Sequence, residues 1–283
     1  MKKNKLTETQ EIAYGGERVT HLYPNDCYYA HLSIYYHALP FAMNKIVLDA
    51  GCGSGYGSYY FSQNGAKWVE AIDISEKAIE FCRKHFSQPN LRFKKMSLDA
   101  IRGYGESSFD LIFSSNVLEH IPDVEAFLAT AGKLVKPDGT LYIAVPPVVD
   151  EVSRKNNLDN IYHLNIWTPR QWYQVLSFYF EEVQCISHTF TNSSIKLDFN
   201  NTPEETRVNE KSFTFNNVSL SEFYSQIPLT IIFLAKSPAR RESRSGCQFV
   251  EGSFTRSLEE PERMKTSGEV LLQKVSRKIR SLF

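Results

Sequence analysis

Two things are missing from this sequence: an apolar run long enough to cross a bilayer, and an excess of charge of either sign. Lysine plus arginine and aspartate plus glutamate each number 32 in 283 residues. The chain as a whole therefore has no bulk field to draw it to nucleic acid or to an acidic membrane, and any such attraction must be local. The opening MKKNKLTETQ is charged with no apolar stretch behind it, and the longest later run, 229–235, falls far short of a membrane span. A soluble cytoplasmic protein is the expectation. Cysteine is scarce: Cys27, Cys52, Cys82, Cys185 and Cys247 are scattered, odd in number and without a CxxC pair. They read as reduced thiols rather than a disulfide or zinc framework, and no metal is expected. Internal repeats and low-complexity tracts are absent as well.

What is present is a change of texture along the chain. The length allows one large α/β domain with extensions, or one domain and a small second one. Residues 1–44 are rich in tyrosine and histidine (His21, Tyr23, Tyr28, Tyr29, His31, Tyr35, Tyr36, His37) and read as a loop followed by a helix over 26–39 that ends near Pro40, together an N-terminal helical lid. From Lys45 buried-type strands alternate with helices, the pattern of a parallel β/α architecture. Strands are expected at 45–49, 68–72, 91–97, 109–114 and 139–145, and helices at 56–64, 75–86 with Ser75 as N-cap, and 124–134. Thr168 caps a helix over 169–179, a strand follows at 182–188, and the last strand is 229–235. Between those two strands, 189–228 is polar and asparagine-rich, a connection of the length expected of a lid or a disordered loop. Residues 45–236 thus form the main domain with this insert. Residues 237–283 read as a linker and a basic amphipathic helix over 262–282, with Leu271, Val275, Ile279 and Leu282 on one stripe. That helix suits a membrane surface, a protein partner, or packing back on the domain.

The chemistry concentrates at Asp49-Ala-Gly51-Cys-Gly53-Ser-Gly55, between a strand and a helix. There, missing β-carbons let a backbone turn tightly and approach a ligand. A dinucleotide GxGxxG would need glycine at Tyr56, or glycine or alanine at Ser58, and no GxxxxGK[ST] is present. Asp49 faces the same crevice and would repel a pyrophosphate, so a cationic cofactor is indicated. S-adenosylmethionine carries an ammonium and a sulfonium. Asp73 closes the second strand, near the distance at which a carboxylate accepts ribose hydroxyls. Ile74 beside it is placed to cover an adenine face, and Asp99 beyond the third strand to accept from the adenine amino group.

The blocks VLDAGCGSGYGS, AIDIS, SLDA, SFDLIFSSNVLEHI and LVKPDGTLYIAVPP follow one another in the order seen in class I S-adenosylmethionine-dependent methyltransferases, which the stretch 45–147 resembles. The resemblance implies a Rossmann-like α/β fold: a seven-stranded sheet, mostly parallel, with an antiparallel last strand at 229–235 and helices on both faces. It implies that Asp49, Gly51, Gly53 and Gly55 hold the methionine part, Asp73 the ribose and Asp99 the adenine, with Ser115 or Asn116 near the methyl group. The pieces GGERVT, His31-Leu32, Tyr35, HLNIWTPRQW and FYFEEV are similar to those of methyltransferases from surface-polysaccharide and secondary-metabolite gene clusters. Those relatives often carry arginine before the matched tyrosine, where this chain has Ile34.

Methyl transfer is an in-line displacement that positioning alone accelerates strongly. A base is needed only where the acceptor must lose a proton. His163, in NIYHLNIWTPRQW, is the candidate base, against the alternative that it anchors its loop beside Trp167. Glu119 and His120 are expected to be structural, because their segment opens a helix in related enzymes. The expectation is methyl transfer to a hydroxyl or amino group of a small molecule, with a saccharide or similar metabolite foremost. The rival is a scaffold that binds S-adenosylmethionine or S-adenosylhomocysteine without turning it over.

Overall fold

Strand β1, Ile46–Ala50, is buried along almost all of its length, as a strand covered on both faces must be. It lies at the centre of an eight-stranded sheet. The structure, a computed structural model, describes residues 18–192, 194–241 and the backbone of Phe254–Thr255. Helix α1 (Asp26–Ala42) precedes β1, and α2 (Tyr56–Gln63), β2 (Trp68–Asp73), α3 (Glu76–His85), β3 (Leu91–Lys95), β4 (Phe109–Ser115), α4 (Val124–Leu134) and β5 (Val135–Val145) follow it. Then come α5 (Glu151–Asp159), β6 (Asn165–Ile166), α6 (Pro169–Tyr179), β7 (Phe180–Thr189), β8 (Thr214–Val218), β9 (Thr230–Pro238) and β10 (Phe254–Thr255).

The large sheet runs β3-β2-β1-β4-β5-β9-β7-β8. β3, β2, β1, β4 and β5 pair in parallel, and β9 enters antiparallel between β5 and β7. Strand order reverses at the β1–β4 junction, so the carboxyl ends of β1, β2 and β4 open on one crevice, where ligands of such sheets bind. Alternation along β4 separates the two faces. Ile112 joins Leu128, Ile143, Trp172 and Phe233 under α4 and α6. Leu111 and Phe113 join Ile34, Ala38, Phe61 and Tyr142 under α1 and α2.

This is the Rossmann-like α/β fold expected; β5 begins at Val135 rather than at 139, α5 and β6 are additional elements, and there are four further departures. The sheet has an eighth strand, because the insert is structured: β8 adds antiparallel to β7 from Thr189↔Thr214 to Cys185↔Val218. The insert also buries Val208 and Phe213 against Ala30. Asn25 Nδ2 donates to the carbonyls of Phe199 and Asn201, both at 3.2 Å, and the amide of Asp198 donates to Asp26 Oδ2 at 3.1 Å. The amide of Asp26 in turn donates to Asn201 Oδ1 at 3.1 Å, so one of the asparagines that made this stretch look like loop is an anchor, since buried polar groups are stable when paired.

Second, α1 continues through Pro40 to Ala42. The proline forfeits one helical hydrogen bond, while Ala38 and Ala42, both fully buried, hold the last turn on the sheet. Third, β3 stops at Lys95, leaving Asp99 in a 3₁₀ turn, Leu98–Ala100. Fourth, β10 lies within the stretch read as a linker and pairs antiparallel with β6. The helix expected over 262–282, and Cys247, lie outside the described residues. None of the other four cysteines is in a disulfide, and no helix among the described residues is long and apolar enough to cross a membrane.

Candidate active site

β1 ends at Ala50 and α2 begins at Tyr56. The chain reverses within five residues, and Gly51, Gly53 and Gly55 take φ values of 92°, 54° and 82°. L-residues rarely adopt such angles. At Gly53 a β-carbon would meet nothing within 4 Å. The glycine is therefore required by backbone torsion, and its outer face stays open to a ligand. At Gly51 a β-carbon would stand 2.4 Å from Val117 Cγ2, which ties the turn to the loop leaving β4.

Asp49 is only 1% exposed and has two hydroxyl donors: Ser58 Oγ at 2.5 Å and Tyr35 Oη at 3.3 Å to Oδ2. Burial pushes its carboxyl up to about 7; the Ser58 and Tyr35 bonds counteract this, and the Asp73 charge adds to it. Among the described residues, the side chains that bond Asp49 are both neutral hydroxyls. A carboxylate held this way, half-ionised near neutrality, is stabilised by a cation brought to it. Tyr35 reaches it only because residue 57 is glycine, where a β-carbon would sit 2.1 Å from the Tyr35 ring. The hydroxyl of Tyr35 is pushed well above its ordinary range, first by burial and then by Asp49, so it stays a proton donor.

Asp73, 7% exposed, lies across the same turn. Its Oδ2 accepts from the Gly53 amide at 3.0 Å, and its Oδ1 accepts from the Ser75 amide at 2.8 Å and from Arg18 Nη2 at 3.3 Å. Ser54 Oγ donates to the Val19 carbonyl at 2.5 Å. Residues 18 and 19 therefore lie directly over the glycine turn, whereas α1 is a core helix. Ile74, 63% exposed, stands free to cover a ligand. Asp99 is exposed and accepts from Ser97 Oγ. Its turn is linked to Asp73 by the Met96 amide, which donates to the Asp73 carbonyl at 3.0 Å.

At the end of β4, Asn116 has φ 53°. Its amide donates to the Ala144 carbonyl at 2.8 Å, and its Nδ2 lies 3.2 Å from Ser115 Oγ and 3.5 Å from His31 Nδ1. Both residues are half-buried beside the Val117 that packs on Gly51. His163 is buried, with Nδ1 2.7 Å from Asn157 Oδ1 and its ring 5.0 Å from that of His120. Trp167 pairs with Trp172, ring centroids 4.6 Å apart. Asn165 clamps this segment to the turn after β4: its Nδ2 donates to the carbonyls of Leu118 at 2.9 Å and Ile121 at 2.7 Å.

The structure thus brings Asp49, Gly51, Gly53, Gly55 and Asp73 to one turn, with Gly53 bonded to Asp73 and Asp49 held by Ser58 and Tyr35. Ser115 and Asn116 stand at its rim, and His163 is grouped with Glu119 and His120. Sequence reasoning did not assign Tyr35, Gly57, Ser58 or Arg18 to the site. The glycine two residues past the turn was the one available signal.

Residues 48–143 match a family model described as a methyltransferase domain. The ubiquinone biosynthesis O-methyltransferase of Neisseria meningitidis serogroup A is 32% identical over 103 residues, covering 35% of this chain and 43% of that protein. Its namesake in Rhizobium rhizogenes is 38% identical over 100 residues, covering 35% of this chain and 40% of that protein. The match spans less than half the length of these relatives. A solved S-adenosylmethionine-dependent methyltransferase of Thermotoga maritima, titled a possible histamine N-methyltransferase, aligns over 75% of this chain and 91% of its own. Its TM-score is 0.56 at 16% identity, a likeness of fold.

Proposed function

We propose that this protein, whose residues 48–143 match a family model described as a methyltransferase domain, transfers a methyl group from S-adenosylmethionine to a hydroxyl group of a small molecule. The observation that carries the reading is Asp49: a buried carboxylate, raised to about 7, at a strand end beside three left-handed glycines. Such a cradle suits a ligand with an ammonium group and disfavours a pyrophosphate.

Bound there, S-adenosylmethionine supplies a methyl group already activated by its sulfonium. Asp49 accepts from the ammonium, with Ser58 and Tyr35 holding its orientation. The left-handed torsions of Gly51, Gly53 and Gly55 bring the backbone of the turn against the methionine part of the ligand, while the amides of Gly51, Cys52, Gly53 and Gly55 already donate to Ile72, Asp73 and Cys52. Asp73 accepts from the ribose hydroxyls, Ile74 covers the adenine, and Asp99 accepts from its amino group. Residues 18 and 19 exclude water from the turn. Ser115 and Asn116 border the methyl group. On the acceptor side His163 works through Nε2, because Nδ1 is held by Asn157.

The names of the ubiquinone-pathway relatives favour oxygen over nitrogen as the acceptor atom. A hydroxylated metabolite fits this reading, a saccharide being one such class. The test supplies methyl-labelled S-adenosylmethionine with separate saccharide, quinone and amino-sugar fractions. Label is expected in a hydroxylated fraction. Calorimetric binding of the donor with no labelled fraction would instead favour a noncatalytic scaffold, and failure to bind the donor would refute both.

A further inference from the structure

Glu119, His120 and His163 each offer one ligand atom, and these atoms all lie within 4.8 Å of one another. The sequence led us to expect no metal, and it separates His163 from the other two by more than forty positions. The fold closes that gap with the Asn165 clamp and with the Leu164 amide, which donates to the Glu119 carbonyl at 2.7 Å.

Proton positions can be deduced on both rings. His120 Nδ1 lies 2.9 Å from the Tyr162 carbonyl, which only accepts, so Nδ1 carries the proton. Asn157 Nδ2 donates to the carbonyls of Pro147 at 3.1 Å and Ser153 at 2.8 Å. That turns Asn157 Oδ1 toward His163 Nδ1, which must then donate as well. In the neutral rings Nε2 is therefore the lone-pair nitrogen of both histidines. Metal-bound histidines show this arrangement, with the far N–H held by a carbonyl or carboxylate. Glu119, its side chain 2% exposed, brings Oε1 to 3.7 Å from His120 Nε2.

We propose that Glu119, His120 and His163 bind a divalent first-row transition metal, leaving a coordination position open to the acceptor hydroxyl. Two imidazoles and one carboxylate form a donor set of the catalytic-zinc type, which other cations of this row also accept. Metal–ligand bonds of about 2.0–2.2 Å require the three atoms to draw in by about 1 Å. The His120 side chain is 29% exposed and gives a hydrated ion its entry. The site belongs beside the methyl donor: the His120 amide donates to the Val117 carbonyl at 2.9 Å, and Val117 packs on Gly51. A cation there lowers the pKa of a hydroxyl entering its open position, and His163 then serves as ligand rather than base. This role in turnover rests on the proposed methyl transfer; binding of the metal does not.

The test equilibrates the tag-free full chain separately with Zn²⁺, Co²⁺ and Mn²⁺, desalts it, and measures retained metal by mass spectrometry. Co²⁺ absorption bands report its ligands. One equivalent of at least one ion is expected, with affinity falling about 100-fold or more in His120→Asn, His163→Gln and Glu119→Gln, in excess of the 10- to 100-fold typical of outer-shell losses. Circular dichroism and S-adenosylmethionine calorimetry on the same samples show that each variant is folded. Substoichiometric metal in the parent, or equal affinity in folded variants, overturns the proposal. If all three variants fail to fold, the Co²⁺ spectrum of the parent decides, and bands without imidazole ligation overturn it. Metal bound without the methyl donor would sink the functional reading alone, and the donor bound without metal would sink this one alone.

Discussion

Binding of S-adenosylmethionine should weaken as pH falls below 7, because its ammonium needs Asp49 ionised and burial holds that carboxyl at about 7. With such a pKa about half of Asp49 is ionised at pH 7 and about 3% at pH 5.5, so the apparent affinity drops about 15-fold across that window. Above about pH 7.7–8 the ligand's own α-amino group loses its proton, so the useful range lies below. Calorimetry from pH 5.5 to 7, repeated in buffers of different ionisation enthalpy, reads both the dissociation constant and the protons released. Close to one proton per ligand is expected at the acid end. Asp49→Asn should bind more weakly at pH 7 and lose the slope. A dissociation constant that changes less than about twofold, or a variant that keeps the parent's slope, refutes the assignment of Asp49 to the ammonium. The same shift has a sign for stability. The folded-state pKa is raised above 3.8, so the contribution of Asp49 to stability is greatest below that pH and is lost as pH rises through about 7.

Tyr35→Phe removes a bond that favours the ionised carboxylate, so the pH midpoint of donor binding should move upward; an unmoved midpoint would show the 3.3 Å contact to be idle. Gly57→Ala places a β-carbon 2.1 Å from a buried ring and should lower stability to urea by about 1–3 kcal/mol, with no change in the unfolding midpoint as the contrary result. His188, fully buried beside Ser33 Oγ at 3.0 Å, is pushed down to about 3, mainly by burial and then by His31 and His37. Only the unfolded chain takes up its proton between about pH 6.5 and 3, so this residue alone removes about 1.4 kcal/mol of stability per pH unit across that range. Urea titrations of the parent and His188→Gln should differ by that slope, and parallel curves would contradict it.

The parallel half of the sheet was legible because its signals are local. Strands β1, β2 and β4 are apolar runs of five to seven residues with turn chemistry at their ends, and Ser75 does accept from the Ala78 amide as an N-cap. The insert was not legible, since TFNNV is too short and too polar to announce a strand; it becomes one by pairing with β7. The extension of α1 past Pro40 has the same kind of origin, a packing gain outweighing a local rule.

Within the site, the sequence by itself determined the glycine turn and the strand-end carboxylates Asp49 and Asp73. Backbone torsion and strand termini are encoded within a few residues, so spacing reveals them. Only the tertiary structure decided what surrounds them. Tyr35 reaches Asp49 across a helix, Arg18 reaches Asp73 over 55 positions, and Asn25 fastens the insert over 176. His163 meets Glu119 and His120 because one buried asparagine bridges two carbonyls. Such contacts form only when the two burying faces of the sheet fix where each helix and loop must lie, and no local pattern of residues carries that information.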